Sequence, residues 1–154
     1  MSIIEKISAL KLELPPPPHA AGLYKSVLVQ DRLALFSGHL PICNDGTMIT
    51  GKVDVDLSIE EAIVAARQVG LNILASLQSA LGDLDRIERV CKLLGMVNAE
   101  PGFTQHPMII NGCSQLFSDL WGNDCGVGIR SAYGVSGLPL HASVEIEGAF
   151  LLKQ

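Results

Sequence analysis

An arginine and two glutamates stand in a stretch of small, apolar and hydroxylated residues, GIRSAYGVSGLPLHASVEIEGAF at positions 128–150. The stretch predicts two β-strands joined by a Gly/Pro loop, as in a sheet hairpin. The planar guanidinium of Arg130 matches a carboxylate in a forked hydrogen bond. Glu145 and Glu147 are two positions apart, so both project from one face of their strand. Two interpretations stay open: Arg130 pairs with one of these glutamates, or it binds the carboxylate of a ligand.

The elements that must position these residues follow the order β-β-α-β-α-β-β after a short N-terminal helix. The predicted boundaries are a helix within 1–14, strands 24–30 and 33–37, a helix at 58–81, a strand at 87–98, a helix from 104–107 to 121, and strands 128–135 and 142–152. Two helices cannot cover both faces of such a sheet, so we expect them on one face only. The other face is then solvated or meets another subunit, and we favour the second.

The sequence between the second and third strands carries clear helix boundaries. Ser58 and Glu61 have the spacing of a capping box, in which each side chain bonds the backbone of the other. Gly82 follows the apolar periodicity and is a good C-terminal cap. The PPPP run at 15–18 cannot be helix, so we expect an extended segment there. Residues 1–21 would form an N-terminal arm of a single domain spanning 1–154.

Composition excludes several classes of function. The chain has 154 residues, 18% charged residues and a net charge of −5, so a basic nucleic-acid footprint is missing. Its four cysteines have no metal-ligand spacing, which favours reduced thiols and no metal site. There is no apolar run of membrane-spanning length and no leader pattern, so we expect a cytoplasmic protein. The apolar composition favours a homo-oligomer.

The ordered motifs resemble the YjgF/RidA family, also known as L-PSP endoribonuclease-like proteins. The resemblance runs from about residue 22 to residue 152. It rests on GLYK at 22–25, FSGHLP at 36–41, GDLDRIERVCKL at 82–93, Asn111, and RSAYGV…LP…VEIE at 130–147. The extended segment before Tyr24 is similar to a longer subgroup of that family. The resemblance implies a chorismate-mutase-like α+β fold and a homotrimer with a barrel-like core and clefts between subunits.

The family also implies a chemistry for these residues. In RidA-type members a reactive 2-imino or enamino acid is hydrolysed to a 2-oxo acid and ammonia, without a metal or organic cofactor. At matching positions, Arg130 would bind the substrate carboxylate and Glu145 would orient or activate water. The matching pocket residues are Tyr24, Ser37, Asn111 and Ala132. A non-catalytic trimer that binds small carboxylates is the alternative, and an endoribonuclease is a further one that the charge disfavours.

Three positions depart from the deaminase-type pattern. Ala132 replaces a frequent cysteine, so only its backbone can serve the pocket. Tyr133 is expected to narrow the pocket. His39 stands where glutamine is common. It is either a titratable group of the site or a loop histidine that faces solvent or caps a strand end.

Overall fold

The computed structural model describes residues 1–154 and contains three helices and five strands. In chain order they are α1 (Ile3–Ala9), β1 (Val27–Gln30), β2 (Leu33–His39), α2 (Ile59–Leu81), β3 (Ile87–Asn98), α3 (His106–Gly126), β4 (Ile129–Val135) and β5 (Val144–Leu152), with 3₁₀ turns at Leu84–Arg86 and Pro139–His141. The predicted α+β class is confirmed. So are the type and order of the elements, and β3 has the predicted boundaries.

One mixed sheet holds all five strands in the order β1-β2-β5-β3-β4. The strands pair antiparallel except β3 and β4, which are parallel. The predicted hairpin of the last two strands is therefore wrong, because β3 lies between them. The helix α3 makes the long crossover that a parallel pair requires. β5 instead takes a central position, where it buries Val144, Ile146 and Phe150 on one face.

The helices α2 and α3 pack side by side on one face of the sheet, as expected from their number. The capping box of α2 is present: the Ser58 hydroxyl accepts from the Glu61 N–H at 3.1 Å, and the Glu61 carboxylate accepts from the Ser58 N–H at 2.7 Å. Gly82 ends the helix with a φ of 79°, the left-handed conformation of a glycine cap. Both boundary predictions are confirmed.

A glycine sets how closely the two long helices approach. A Cβ at Gly112 would collide with the backbone carbonyl of Ile63, so the helices cross with their backbones almost in contact. Gly122, with a φ of 78°, interrupts α3 as the sequence indicated, but the chain turns helically again as far as Gly126. This kinked end brings Asn123 back towards the start of β4.

The opposite face of the sheet, which we call the open face, has no helix packed on it. It leaves large apolar side chains exposed, among them Leu28, Leu35, Ile129 and Tyr133. The N-terminal segment packs elsewhere: Ile3 and Ile7 of α1 are buried, and the Lys6 ammonium donates to the Leu120 carbonyl at 2.8 Å. No helix combines the length and hydrophobicity needed to cross a membrane.

Candidate functional site

Arg130 lies on the edge strand β4, and its side chain turns towards α3. Its guanidinium donates to the Asn111 side-chain oxygen at 2.8 Å and to the Ser114 hydroxyl at 3.1 Å. A longer bond of 3.4 Å reaches the Pro107 carbonyl. None of the ion pairs in the chain includes Arg130. Its partners are neutral, so the cation keeps its full charge for a ligand.

The two glutamates cannot supply the missing counter-charge within the same chain. Across the sheet, Arg130 is level with Leu93 and Gly148, three residues along β5 from Glu145. Two strand spacings and three residue rises place the Cα atoms of Arg130 and Glu145 about 14 Å apart. Arg130 is on the helix-covered face, whereas Glu145 and Glu147 alternate with buried neighbours and project from the open face. The intramolecular ion-pair interpretation is therefore wrong.

A groove of about 430 Å³ opens beside Arg130, between α3 and the beginning of β4. Its apolar members are Leu93, Val127 and Ile129, and its polar side chains besides Arg130 are Asn111, Ser114, Gln115, Ser118 and Asn123. Apart from the guanidinium, every lining side chain is uncharged. The groove therefore offers one cation and many neutral hydrogen-bonding groups.

Glu145 occupies a different place, on the open face beside β2. Its carboxylate lies directly over Gly38, where any Cβ would overlap it. Burial first, and then the negative charge of Glu147, raise the pKa of Glu145 above its ordinary value. A raised pKa makes the carboxylate a stronger base than an ordinary glutamate, which suits it to proton transfer.

Tyr24 and Ser37 lie on the same open face as Glu145 and Glu147. Together with Leu28, Leu35 and Glu147 they line a cavity of about 370 Å³ on the open face. The Ser37 hydroxyl donates to the Lys25 carbonyl, which fixes the chain before β1 against β2. The predicted site residues thus form two groups on opposite faces: Arg130 and Asn111 in the groove, and Tyr24, Ser37 and Glu145 on the open face.

Ala132 and Tyr133, the two residues of β4 that differ from the deaminase-type pattern, lie on opposite faces of the sheet. Ala132 packs against the core on the helix-covered side. Tyr133 projects from the open face, where it is level with Met96 and Glu145 and is 45% exposed. Within the chain Tyr133 therefore does not line the groove of Arg130, and its effect on a pocket formed between copies of the chain stays a prediction.

His39 is neither a solvent-facing loop residue nor an open-face titratable group. It ends β2 with 4% exposure, and its ring bonds the Ser37 carbonyl through Nδ1 at 2.6 Å and the Ser76 hydroxyl through Nε2 at 2.8 Å. Burial lowers the pKa of His39, which favours the neutral ring. Its bonds tie the Ser37–Gly38 backbone under Glu145 to helix α2. His39 therefore occupies the end of a strand, as one of the interpretations had it, but its ring is buried against α2 and does not face solvent.

Sequence reasoning missed Ser114 and Gly38. Ser114 follows Asn111 by three positions, the spacing that brings two side chains to one helix face, so the helix pattern contained the signal. Gly38 has no such signal, because its role depends on a β-bulge and on a distant strand.

All four cysteines are free thiols, and burial raises the pKa of Cys113 beneath Arg130. No group of His, Cys, Asp and Glu side chains could hold a metal ion.

Comparison with known proteins covers almost the whole chain. A family model described as "YjgF/chorismate mutase-like, putative endoribonuclease" matches residues 5–146. Protein TCP17 of Trypanosoma cruzi is 35% identical over 145 residues, which cover 94% of this chain and 91% of that protein.

Solved structures separate into two levels of likeness. A protein of unknown function from Agrobacterium tumefaciens is 34% identical with a TM-score of 0.89, covering 99% of this chain and 94% of that one. A "putative endoribonuclease" from Shewanella oneidensis is 25% identical with a TM-score of 0.93, covering 99% and 100%. Escherichia coli TdcF with bound serine shares the fold at 19% identity and a TM-score of 0.60, covering 91% and 94%. Family model and relatives agree with the resemblance seen in the motifs: the chain belongs to the YjgF/chorismate mutase-like family.

Proposed function

We propose that this protein hydrolyses reactive 2-imino or enamino acids to 2-oxo acids and ammonia, in clefts formed between copies of the chain. The observation that carries the proposal is the state of Arg130. Two neutral side chains orient its guanidinium, and no carboxylate of the chain neutralises it. A pre-oriented arginine without a counter-ion is suited to bind the carboxylate of a small acid.

The reaction needs little further machinery. The imine carbon is already electrophilic, and a water molecule adds to it. Glu145 takes a proton from that water and returns it to the nitrogen, which completes the carbinolamine. The hydroxyl proton of the carbinolamine then passes through Glu145 to the same nitrogen, the C=O bond forms as the C–N bond breaks, and the 2-oxo acid and ammonia leave. The raised pKa of Glu145 suits both proton transfers. No cofactor is required, because the reaction neither oxidises nor reduces the substrate.

The separation of the two groups supports an assembly. Arg130 and Glu145 lie about 14 Å apart on opposite faces, so a single chain cannot place both around a small acid. We propose that the open face of one copy covers the β4 edge of the next in a homotrimer. The exposed leucines and Tyr133 of the open face give that contact an apolar surface. TdcF bound to serine supports an amino-acid-sized ligand for this fold.

Replacing Arg130 tests the proposal. We expect Arg130→Ala to lower kcat/KM for 2-iminopropanoate by about a hundredfold or more, since a charged, orienting contact is lost. The substrate is generated in situ from alanine by an amino-acid oxidase, and release of the 2-oxo acid is followed. Arg67→Ala is the matched control, because Arg67 is a surface arginine paired with Asp119 at 3.5 Å, outside the groove. Equal rates for wild type and Arg130→Ala contradict the proposal.

A binding protein without turnover is the competing function, favoured by Ala132 in place of a thiol side chain. Thermal shift with 2-oxo acids distinguishes it, because a ligand that binds only the folded state raises the melting temperature. Stabilisation that depends on Arg130, together with imine hydrolysis at the spontaneous rate, would establish binding alone. Cleavage of RNA receives less support from this chain, since its net charge is −5 and the groove contains a single cation.

A further inference from the structure

The groove beside Arg130 is larger and more polar than the smallest 2-imino acids require. We infer that it selects substrates whose side chain ends in an uncharged carboxamide, a specificity that rests on the function proposed above. The inference concerns the part of the groove beyond Arg130, towards the kinked end of α3. Nothing in the proposed hydrolysis itself uses these residues.

One wall of the groove is a neutral face of α3. Ser114, Gln115 and Ser118 follow at helical spacing, so their side chains lie on one face, and Asn123 closes the far end after the kink at Gly122. Exposed helix faces usually carry charges, yet this one carries none among its groove-lining residues. A surface of this kind is suited to a neutral ligand with hydrogen-bonding groups.

Two amide groups in the wall keep hydrogen-bonding atoms without a partner in the chain. The Gln115 amide nitrogen donates to the Asp119 carboxylate at 2.8 Å, which leaves Gln115 Oε1 without a partner in the chain. The Asn123 side-chain oxygen accepts from the Ser118 hydroxyl at 2.7 Å, which leaves Asn123 Nδ2 without one. Since each amide nitrogen carries two hydrogens and each amide oxygen can accept two bonds, the groove presents free donors and free acceptors. A carboxamide offers the complementary pair, an NH₂ donor and a C=O acceptor.

Charge and polarity disfavour the other side chains of the same size. A carboxylate has no hydrogen to donate to Gln115 Oε1, so it would leave that acceptor unpaired. An isobutyl group would remove water from both amide groups and bond neither of them. Discrimination therefore comes from unmatched polar groups as much as from attraction.

The length of the groove fits a side chain of about four heavy atoms. Ser114 bonds Arg130 directly, and Ser118 lies about 6 Å further along the helix axis. A substrate whose carboxylate is held by Arg130 needs a side chain of that extent to reach Gln115 and Asn123. The methyl group of 2-iminopropanoate is too short to do so.

Three imines of nearly equal size provide the probe. Oxidases acting on asparagine, leucine and aspartate release imines whose side chains differ in polarity and charge but not in the number of heavy atoms. We expect kcat/KM for the asparagine-derived imine to exceed that for the leucine-derived imine by about tenfold or more, with the aspartate-derived imine lowest. A preference of the wild type for the leucine-derived imine, or equal values, would overturn the inference.

A second test removes Gln115 Oε1, a free acceptor of the groove. Gln115→Leu should reduce the tenfold preference to about threefold or less, while Gln105→Leu should not, because Gln105 is an exposed glutamine with no side-chain cap bond at the other end of α3. An unchanged preference in Gln115→Leu, with Arg130→Ala still inactive, rejects the subsite and leaves the proposed hydrolysis intact. If no imine is turned over, dissociation constants of 2-oxosuccinamate and 4-methyl-2-oxopentanoate decide the inference in the same way.

Discussion

The β4 edge and the open face of the sheet differ in what they contribute to a site. The edge carries a cation held by neutral partners, beside a groove of uncharged groups. The open face carries two adjacent carboxylates, one with a raised pKa, among exposed apolar side chains. The groove at the edge contains no carboxylate of the chain. In the assembly proposed above, the two regions would be two halves of one site that meet between copies of the chain.

Among these substitutions, we expect Gly38→Ala on the open face to lower the activity most. The added methyl group would overlap the Glu145 carboxylate, which must then move. We expect kcat for 2-iminopropanoate to fall by about a hundredfold, because small displacements of a reacting group are costly. Gly137→Ala is the control, since a Cβ there meets nothing within 4 Å. Full activity of Gly38→Ala would mean that Glu145 does not act from this position.

We expect a smaller loss of activity from Asn111→Ala, in the groove at the β4 edge. The guanidinium loses its 2.8 Å bond but keeps Ser114 and its charge. We expect KM to rise roughly tenfold with little change in kcat, as a weakened carboxylate contact predicts. Steady-state kinetics measure this, with the exposed turn residue in Asn44→Ala as control. A fall in kcat at constant KM would instead place Asn111 in the chemical step.

The smallest effect is a shift of the pH profile in Glu147→Gln. Repulsion from Glu147 contributes to the raised pKa of Glu145, so its removal lowers that pKa. A general base acts when deprotonated, and the acidic limb of the kcat/KM profile should therefore move to lower pH. Glu60→Gln, on the surface of α2, should leave the limb in place. A limb that moves to higher pH in Glu147→Gln would contradict the role of Glu145.

Local signals in the sequence predicted much of this fold. The capping box at Ser58, the glycine cap at Gly82 and the apolar run of β3 depend on neighbours in the chain, and all three are confirmed. The family resemblance then supplied the fold and the list of site residues. Such patterns predict the type and boundaries of each helix or strand, and which of its residues share a face.

Relations between distant elements could not be predicted in the same way. Alternation shows that Glu145 and Glu147 share a face, but not that this face is opposite to the one of Arg130. The position of Arg130 relative to the glutamates depends on β3 lying between β4 and β5. The Gly/Pro loop at 136–139 instead indicated that β4 and β5 pair directly as a hairpin. The burial of His39 could not be predicted for the same reason, because its partner Ser76 lies on a helix that the local sequence does not connect to it.

Complementation between two inactive variants tests the half-site arrangement most directly. Arg130→Ala and Glu145→Gln chains are unfolded together, refolded as an equal mixture, and assayed for hydrolysis of 2-iminopropanoate against each variant refolded alone. If each cleft takes its arginine from one copy and its glutamate from the next, about a quarter of the clefts in a randomly mixed cyclic assembly regain both residues, and about a quarter of wild-type activity returns. Activity no higher than that of the separate variants would show that Arg130 and Glu145 do not act together across a subunit boundary.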